Sequence, residues 1–184
     1  MRYELSSRDM AFCGLFGAAA LLLPVLFHIL HLGRIFMPMY LPLVALAFFV
    51  RPLPAMATAF VTPLLSGAVT GMPPFYPPIA VFMAIELALM AGLIAFIYGQ
   101  RPDLNEWLAL VPVLIFGRAL YVGLVYLFSG FIDLPAKFMA GVSFLSGWPG
   151  IILMIVVVPV IVRTGRARRR HTLIQKGNTH ESKR

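Results

Sequence analysis

The chain has 184 residues, of which 60% are hydrophobic, and its mean hydropathy is +0.90. This composition excludes an ordinary water-soluble domain, because apolar runs recur that are long enough to cross a hydrocarbon layer of about 30 Å. The net charge of +8 does not indicate a nucleic-acid partner, since eight of the fifteen basic residues fall in the last 22 positions, after the final apolar run. That pattern instead predicts membrane topology signals and contact of the basic tail with anionic lipid.

Six apolar segments follow one another and predict an all-α membrane protein with six transmembrane helices. In order they cover residues 11–32, 37–50, 53–69, 79–98, 107–128 and 139–162. The second is short and begins with Pro38 and Pro42, which is also typical of a re-entrant segment, but Arg51 and Pro52 close it cleanly. We therefore predict one transmembrane domain over residues 1–165 and a flexible basic tail over residues 166–184.

The distribution of Lys and Arg predicts the orientation. With six spans both termini share a side, and that side carries twelve basic residues, namely Arg2, Arg8, Arg51, Arg101 and the eight of the tail. The opposite side carries only Arg34 and Lys137. Because cytoplasmic loops are enriched in basic residues, we expect the N and C termini to be cytoplasmic.

The least helix-like stretch of the apolar chain is 62–78, which is rich in Pro, Gly, Ser and Thr. Irregular backbone is tolerated at membrane depth only where protein buries it or where it lines a watery cavity. We therefore predict an ordered cap over residues 67–78, at the mouth of a ligand cavity. An ordinary rigid extracellular turn is an equally good interpretation of the composition.

Polar side chains inside the apolar segments concentrate in their predicted outer halves. Glu86 and Arg118 lie about 10 and 15 Å from the outer ends of their spans at about 1.5 Å per residue, and His28 and Trp148 lie near outer ends as well. Ionisable groups at such depth are functional candidates. The interpretation is an outward-opening pocket for a small ligand. The alternative is that Glu86 and Arg118 neutralise each other between helices, and both can hold together.

The first segment carries Ala11, Gly14 and Ala18 at spacings of three and four, which places them on one helical face. Small residues let another helix approach closely. Internal packing is the favoured interpretation, and a docking face for a partner helix is the alternative.

Catalytic and cofactor chemistry is poorly represented. His28 and His31 have a metal-ligand spacing but no carboxylate or thiol at motif distance, the serines have no His–Asp arrangement, and no GxxxxGK loop is present. We therefore expect no metal, no cofactor and no ATP hydrolysis by the chain itself. A structural or assembly subunit of the membrane that transports nothing is the main alternative to a ligand-binding transport protein, and an intramembrane enzyme is the less favoured one.

Taken in order, several short segments resemble the substrate-binding (S) components of energy-coupling factor (ECF) vitamin transporters. The likeness covers about residues 10–163 and rests on Pro24-Val-Leu-Phe-His28, Met37-Pro-Met-Tyr-Leu-Pro-Leu43, Thr62-Pro-Leu-Leu-Ser66, Gly71-Met-Pro-Pro74, Met83-Ala-Ile-Glu86, Gly117-Arg118 and Gly147-Trp-Pro-Gly-Ile-Ile152 with Pro159. The resemblance implies a six-helix S-component-like bundle in a bacterial-type inner (cytoplasmic) membrane. It further implies uptake of a vitamin or vitamin precursor through docking on a transmembrane coupling subunit driven by two cytoplasmic ATPases.

The resemblance also implies roles for particular residues. Ala11, Gly14 and Ala18 would form the docking face, although the family's AxxxA pattern is here Gly14-x-x-x-Ala18. Arg2 stands where the metal-binding relatives carry His, which argues against nickel or cobalt. The expected substrate-binding residues are His28, Arg34, Met72, Tyr76, Glu86, Arg118, Tyr121 and Trp148. Arginines favour a carboxylate or phosphate, so pantothenate is the first guess, with flavin, folate, pyridoxine and thiamine precursors open.

Overall fold

The fold is known from a computed structural model that describes residues 6–29, 38–76, 78–129 and 148–181, with the side chains of all but residues 28, 129, 148 and 167–181. Throughout these ranges the secondary structure is helical, with turns between helices. The helices are α1 (Ser7–Ile29), α2 (Tyr40–Leu46), α3 (Pro52–Thr70), α4 (Ile79–Gln100), α5 (Glu106–Ser129) and α6 (Trp148–Glu181). The all-α class predicted from the sequence is therefore confirmed.

Five of the described helices, all except α2, are long and apolar enough to cross a membrane. The second predicted segment differs, because its helix has only seven residues, Tyr40–Leu46, and continues as turns to Val50. Seven residues rise only about 10 Å, a third of a hydrocarbon core. Pro38 precedes the N-terminal end of α2, and the turn at 47–49 follows its C-terminal end. Part of the segment, residue 37, falls outside the described residues.

One end of the bundle is defined by charged contacts between helices, and we call it the basic end. Arg51 Nε lies 2.9 Å from Asp9 Oδ2, and Arg163 donates to Glu106 Oε2 at 3.3 Å. Helices α1, α3 and α5 begin at this end, whereas α4 and the membrane part of α6 run towards it. The first described residues and Arg163 therefore lie at the same end.

The opposite end carries the connection between α3 and α4, and we call it the cap end. Helix α3 reaches Thr70 and stops at Gly71, whose φ of +73° is the left-handed conformation that glycine adopts without strain. The predicted cap therefore begins at residue 71 rather than 67, because Gly67 is still helical. Towards the C terminus, helix α6 extends to Glu181, far beyond residue 165, where we predicted the boundary between the transmembrane domain and the tail.

Helix α2 occupies the centre of the bundle. Its residues are buried almost throughout, including Tyr40, Leu43 and Leu46, and it packs against α1, α3, α4 and α6. Helix α1 is peripheral by comparison, because only 6% of its membrane-length apolar stretch is buried inside the bundle. A short central helix surrounded by longer ones needs no lipid-facing surface, and this explains why the second segment can be so short and still be almost wholly apolar.

Two glycines allow α4 to approach its neighbours closely. A Cβ built at Gly92 would lie 2.6 Å from Met56 Cγ on α3, and one built at Gly117 on α5 would overlap the side chain of Met90. In both pairs a methionine fills the space that the glycine leaves. Small residues at helix crossings are the usual means by which membrane helices pack without a hydrophobic driving force.

Gly117→Leu should therefore destabilise the protein by about 1–3 kcal/mol, because overpacking a filled core forces side chains and backbone to shift. The matched control is Gly123→Leu on the same helix, since nothing lies within 4 Å of a Cβ at Gly123. Thermal unfolding in detergent compares the two variants. Equal losses of melting temperature would contradict the proposed close approach of α4 and α5.

Candidate functional site

Three polar side chains from three helices meet inside the bundle. They are Tyr40 of α2, Glu86 of α4 and Arg118 of α5, whose exposed fractions are 2%, 0% and 8%. The Tyr40 hydroxyl donates a hydrogen bond to Glu86 Oε2, and Arg118 Nη2 lies 3.4 Å from Glu86 Oε1. The Arg118 guanidinium carbon also lies 5.0 Å from the centroid of the Tyr40 ring. We call this group the buried polar cluster.

The packing of α4 against α5 explains how Arg118 reaches Glu86. Gly117 precedes Arg118 directly, and it faces Met90, which is one turn along α4 from Glu86. A side chain at Gly117 would push the two helices apart at the level of the ion pair. Tyr40 is the first residue of α2, so the position of that central helix places its hydroxyl against the same carboxylate.

The cluster has hydrogen-bonding capacity that the described residues do not use. Glu86 Oε1 and Arg118 Nη2 form an ion pair, but each atom is buried and makes no hydrogen bond of good geometry with a described residue. Leaving a buried polar atom without a hydrogen bond costs about 1–3 kcal/mol, and more when the group is charged. A ligand that offers a donor to Glu86 and an acceptor to Arg118 would satisfy both atoms.

Three aromatic side chains lie between the buried polar cluster and the cap end. Tyr121 lies three residues beyond Arg118 on α5 and is buried, and its ring makes an edge contact with Phe82 at 6.4 Å between centroids. Phe82 lies one turn nearer the cap end than Glu86 and also contacts Phe128, at 5.1 Å. These rings form an apolar wall on the cap side of the buried polar cluster.

The connection at the cap end is an ordered turn bound to the last turn of α3. Ser66 Oγ donates to the Met72 carbonyl at 2.7 Å, and the Met72 amide donates to Thr70 Oγ1 at 3.2 Å. The turn lies directly on Gly67, where a Cβ would be 2.7 Å from the Pro73 carbonyl oxygen. The Ser and Thr residues of this stretch therefore satisfy backbone groups rather than line a site.

The structure brings together only part of the predicted substrate-binding set. Glu86, Arg118 and Tyr121 lie in or beside the cluster, whereas Met72 and Tyr76 are 56% and 78% exposed on the cap turn and do not reach it. Arg34 and the side chains of His28 and Trp148 lie outside the described residues, so their roles stay predictions.

Tyr40 is the cluster residue that sequence reasoning missed. Its signal was present, because a tyrosine hydroxyl at the start of an apolar segment requires a hydrogen-bond partner when it is buried. The prolines of the segment predict where its helix begins, but they do not indicate which group the hydroxyl between Pro38 and Pro42 binds. The choice of Glu86 as that partner depends on where α2 sits, which no local pattern specifies.

The small residues of α1 face away from the rest of the bundle. Ala11, Gly14 and Ala18 are exposed, and no atom lies within 4 Å of a Cβ at Gly14. Internal packing is instead provided by Ala20, which is fully buried, and by Gly17, whose Cβ position is 3.5 Å from Thr58. Over the described residues, the exposure of Ala11, Gly14 and Ala18 does not support their favoured interpretation as internal packing residues, and their face is bare there.

Comparisons with known proteins do not place the chain in a family: no family model matches it, and neither does any curated protein or solved structure. Among the described residues, no group of three His, Cys, Asp or Glu side chains is arranged to hold a metal ion. The function of the chain must therefore be argued from the buried polar cluster and from how the helices surround it.

Tyr40→Phe should lower the free energy of unfolding by about 1–3 kcal/mol, because it removes the donor to Glu86 Oε2 and leaves that oxygen buried. Tyr76→Phe makes the same chemical change on an exposed side chain and should have no measurable effect. Denaturant unfolding in detergent micelles measures both. Equal stability of the two variants would show that the Tyr40 hydroxyl does not support the cluster.

Proposed function

We propose that this multi-pass membrane protein binds a small vitamin-like molecule at the buried polar cluster and delivers it through an ATP-driven coupling module. The observation that carries the proposal is the Glu86–Arg118 pair, which is buried within membrane-length helices and has hydrogen-bonding atoms that no described residue satisfies. Intramembrane ionisable groups are costly and usually mark a substrate path. If Glu86 and Arg118 served only to join helices, complete hydrogen bonding between the two side chains would stabilise the protein most.

The position of the cluster supports access from the cap end. Glu86 lies seven residues from the first residue of α4 and fourteen from the last, which is about 10 and 21 Å along the helix. The ion pairs of the basic end join α1 to the start of α3 and α5 to α6. Nearer the cap end, the described helices meet through aromatic rings and through the α3–α4 turn rather than through ion pairs, so separation of helices there breaks fewer polar contacts.

The chemistry of the cluster favours a neutral donor–acceptor pair on the ligand. Glu86 already neutralises most of the charge of Arg118, which makes Arg118 alone a weaker carboxylate site than the sequence suggests. An amide, a hydroxyl pair or the edge of a heterocycle fits the two unsatisfied atoms, and the rings of Tyr121 and Phe82 suit an apolar or planar portion. Pantothenate, which combines an amide and hydroxyls with a carboxylate, stays the first candidate.

The coupling partners follow from the resemblance to S components and from the bare face of α1. A coupling subunit that presents a helix with small residues could pack against Ala11, Gly14 and Ala18, with two cytoplasmic ATPases supplying the energy. In this arrangement both termini are cytoplasmic, the basic end faces the cytoplasm of a bacterial-type cell and the cap end faces outward. Binding of the partner would tilt the bundle and carry the site to the cytoplasmic side.

A structural subunit without a ligand is the second candidate, and the exposed α1 face is the observation that favours it. In that case the buried polar cluster only joins α2, α4 and α5, and the α1 face serves assembly. The two candidates differ in one measurable property, which is whether a small molecule stabilises the folded protein.

Native mass spectrometry of gently purified protein, followed by a thermal-shift screen of vitamins, should identify a ligand. A ligand at 100 times its dissociation constant stabilises the native state by about 2.7 kcal/mol. Glu86→Gln should abolish the shift, because it removes the charged acceptor while it keeps the size of the side chain. Tyr76→Phe serves as the matched control and should retain the shift.

Circular dichroism and the melting temperature without ligand establish that each variant is folded. A ligand shift that survives Glu86→Gln would place the site elsewhere. A well-folded protein that no vitamin stabilises and with which no small molecule co-purifies would favour the structural subunit.

A further inference from the structure

The basic end contains a second charged cluster, which the proposed function does not use. Glu106 begins α5 and is buried, and two arginines of α6 surround it: Arg163 at 3.3 Å and Arg166 at 3.6 Å. Arg166 also donates to the Pro102 carbonyl at 2.9 Å and stacks on the Tyr98 ring at 4.5 Å. Counted over the described side chains, one carboxylate and two guanidinium groups give this cluster a net charge of about +1.

The outer side of this cluster remains accessible. The Arg163 side chain is 60% exposed although two of its nitrogens bind Glu106, so its third nitrogen and outer edge face away from the carboxylate. Arginine presents five donors in a planar fork, which suits simultaneous contact with a carboxylate on one side and a phosphate on the other.

An exposed apolar stripe on α6 leads directly to Arg163. Ile152, Val156 and Val160 are each more than half exposed, and their spacings of four, followed by three to Arg163, keep them on one helical face. From Ile152 to Arg163 the helix rises about 16 Å, which is close to half of a hydrocarbon core of about 30 Å. The stripe therefore has the length of one leaflet and ends at a cationic group.

We propose that an anionic phospholipid binds at the basic end, with its headgroup phosphate on Arg163 and Arg166 and an acyl chain along Ile152, Val156 and Val160. The excess positive charge at the end of the stripe selects an anionic over a zwitterionic headgroup. Trp107 follows Glu106 at the basic end and is 39% exposed, and indole rings favour membrane–water interfaces. The lipid would reinforce the joint between α5 and α6.

Quenching of Trp107 fluorescence by brominated lipids tests this binding directly. In the Trp148→Phe background Trp107 is the only tryptophan, and vesicles that mix brominated phosphatidylglycerol with phosphatidylcholine give the relative association constant of the two lipids. We expect about a fivefold preference for phosphatidylglycerol, the effect of one net basic charge near an interface. The reciprocal Trp107→Phe protein reports from Trp148, at the other end of the membrane part of α6, and should show no such preference.

Three variants distinguish a defined site from diffuse surface charge. Arg163→Gln should reduce the preference to about one, and Glu106→Gln should raise it about fivefold further, since it frees the arginines from their carboxylate. Arg101→Gln removes an exposed charge from the same end and should leave the preference unchanged. The proposal is overturned if the wild-type preference is absent, if Arg101→Gln lowers it as much as Arg163→Gln does, or if Glu106→Gln lowers it.

Discussion

The ion pair between Glu86 and Arg118 is the interaction that organises the centre of this protein. Two charges removed from water are tolerated only when they meet, so α4 and α5 must cross at one register. Gly117 permits that crossing, Met90 fills it, and the Tyr40 hydroxyl adds α2 to the same carboxylate. The short central helix is thereby fixed by a polar contact as well as by its apolar surface, which explains how seven residues can hold a defined position.

Among the described residues, the polar contacts between helices are unevenly distributed along the bundle. At the basic end, Asp9 and Glu106 occupy the first turns of α1 and α5, where the helix dipole favours acidic groups, and each binds an arginine from another part of the chain. Towards the cap end the interior contains the Glu86–Arg118 pair and aromatic rings instead. In its described part the bundle is joined by ion pairs at the basic end and holds its unsatisfied charged atoms, on Glu86 and Arg118, nearer the cap end, which suits a binding site approached from the cap end.

Much of the fold was predictable from the sequence, because apolar segments of membrane length and the prolines and glycine around residue 71 mark helices and their ends. Glu86 and Arg118 could also be selected, since ionisable groups are rare in such segments. Three features could not be predicted. The short central α2 and its Tyr40 contact depend on tertiary placement, the outward direction of Ala11, Gly14 and Ala18 depends on which face α1 buries, and the exposure of Met72 and Tyr76 depends on how the cap turn folds onto Gly67.

The most direct test of this account is a thermodynamic cycle of the Glu86–Arg118 pair, measured by denaturant unfolding in detergent. Glu86→Met and Arg118→Met should each cost about 3–5 kcal/mol, because each leaves one charge buried alone, and the double variant should cost less than either. The same cycle on the partly exposed Asp9–Arg51 pair, with Asp9→Asn and Arg51→Gln, should give a coupling of at most about 1 kcal/mol. Additive losses at Glu86 and Arg118 would contradict the account, since they would show that the two side chains do not depend on each other.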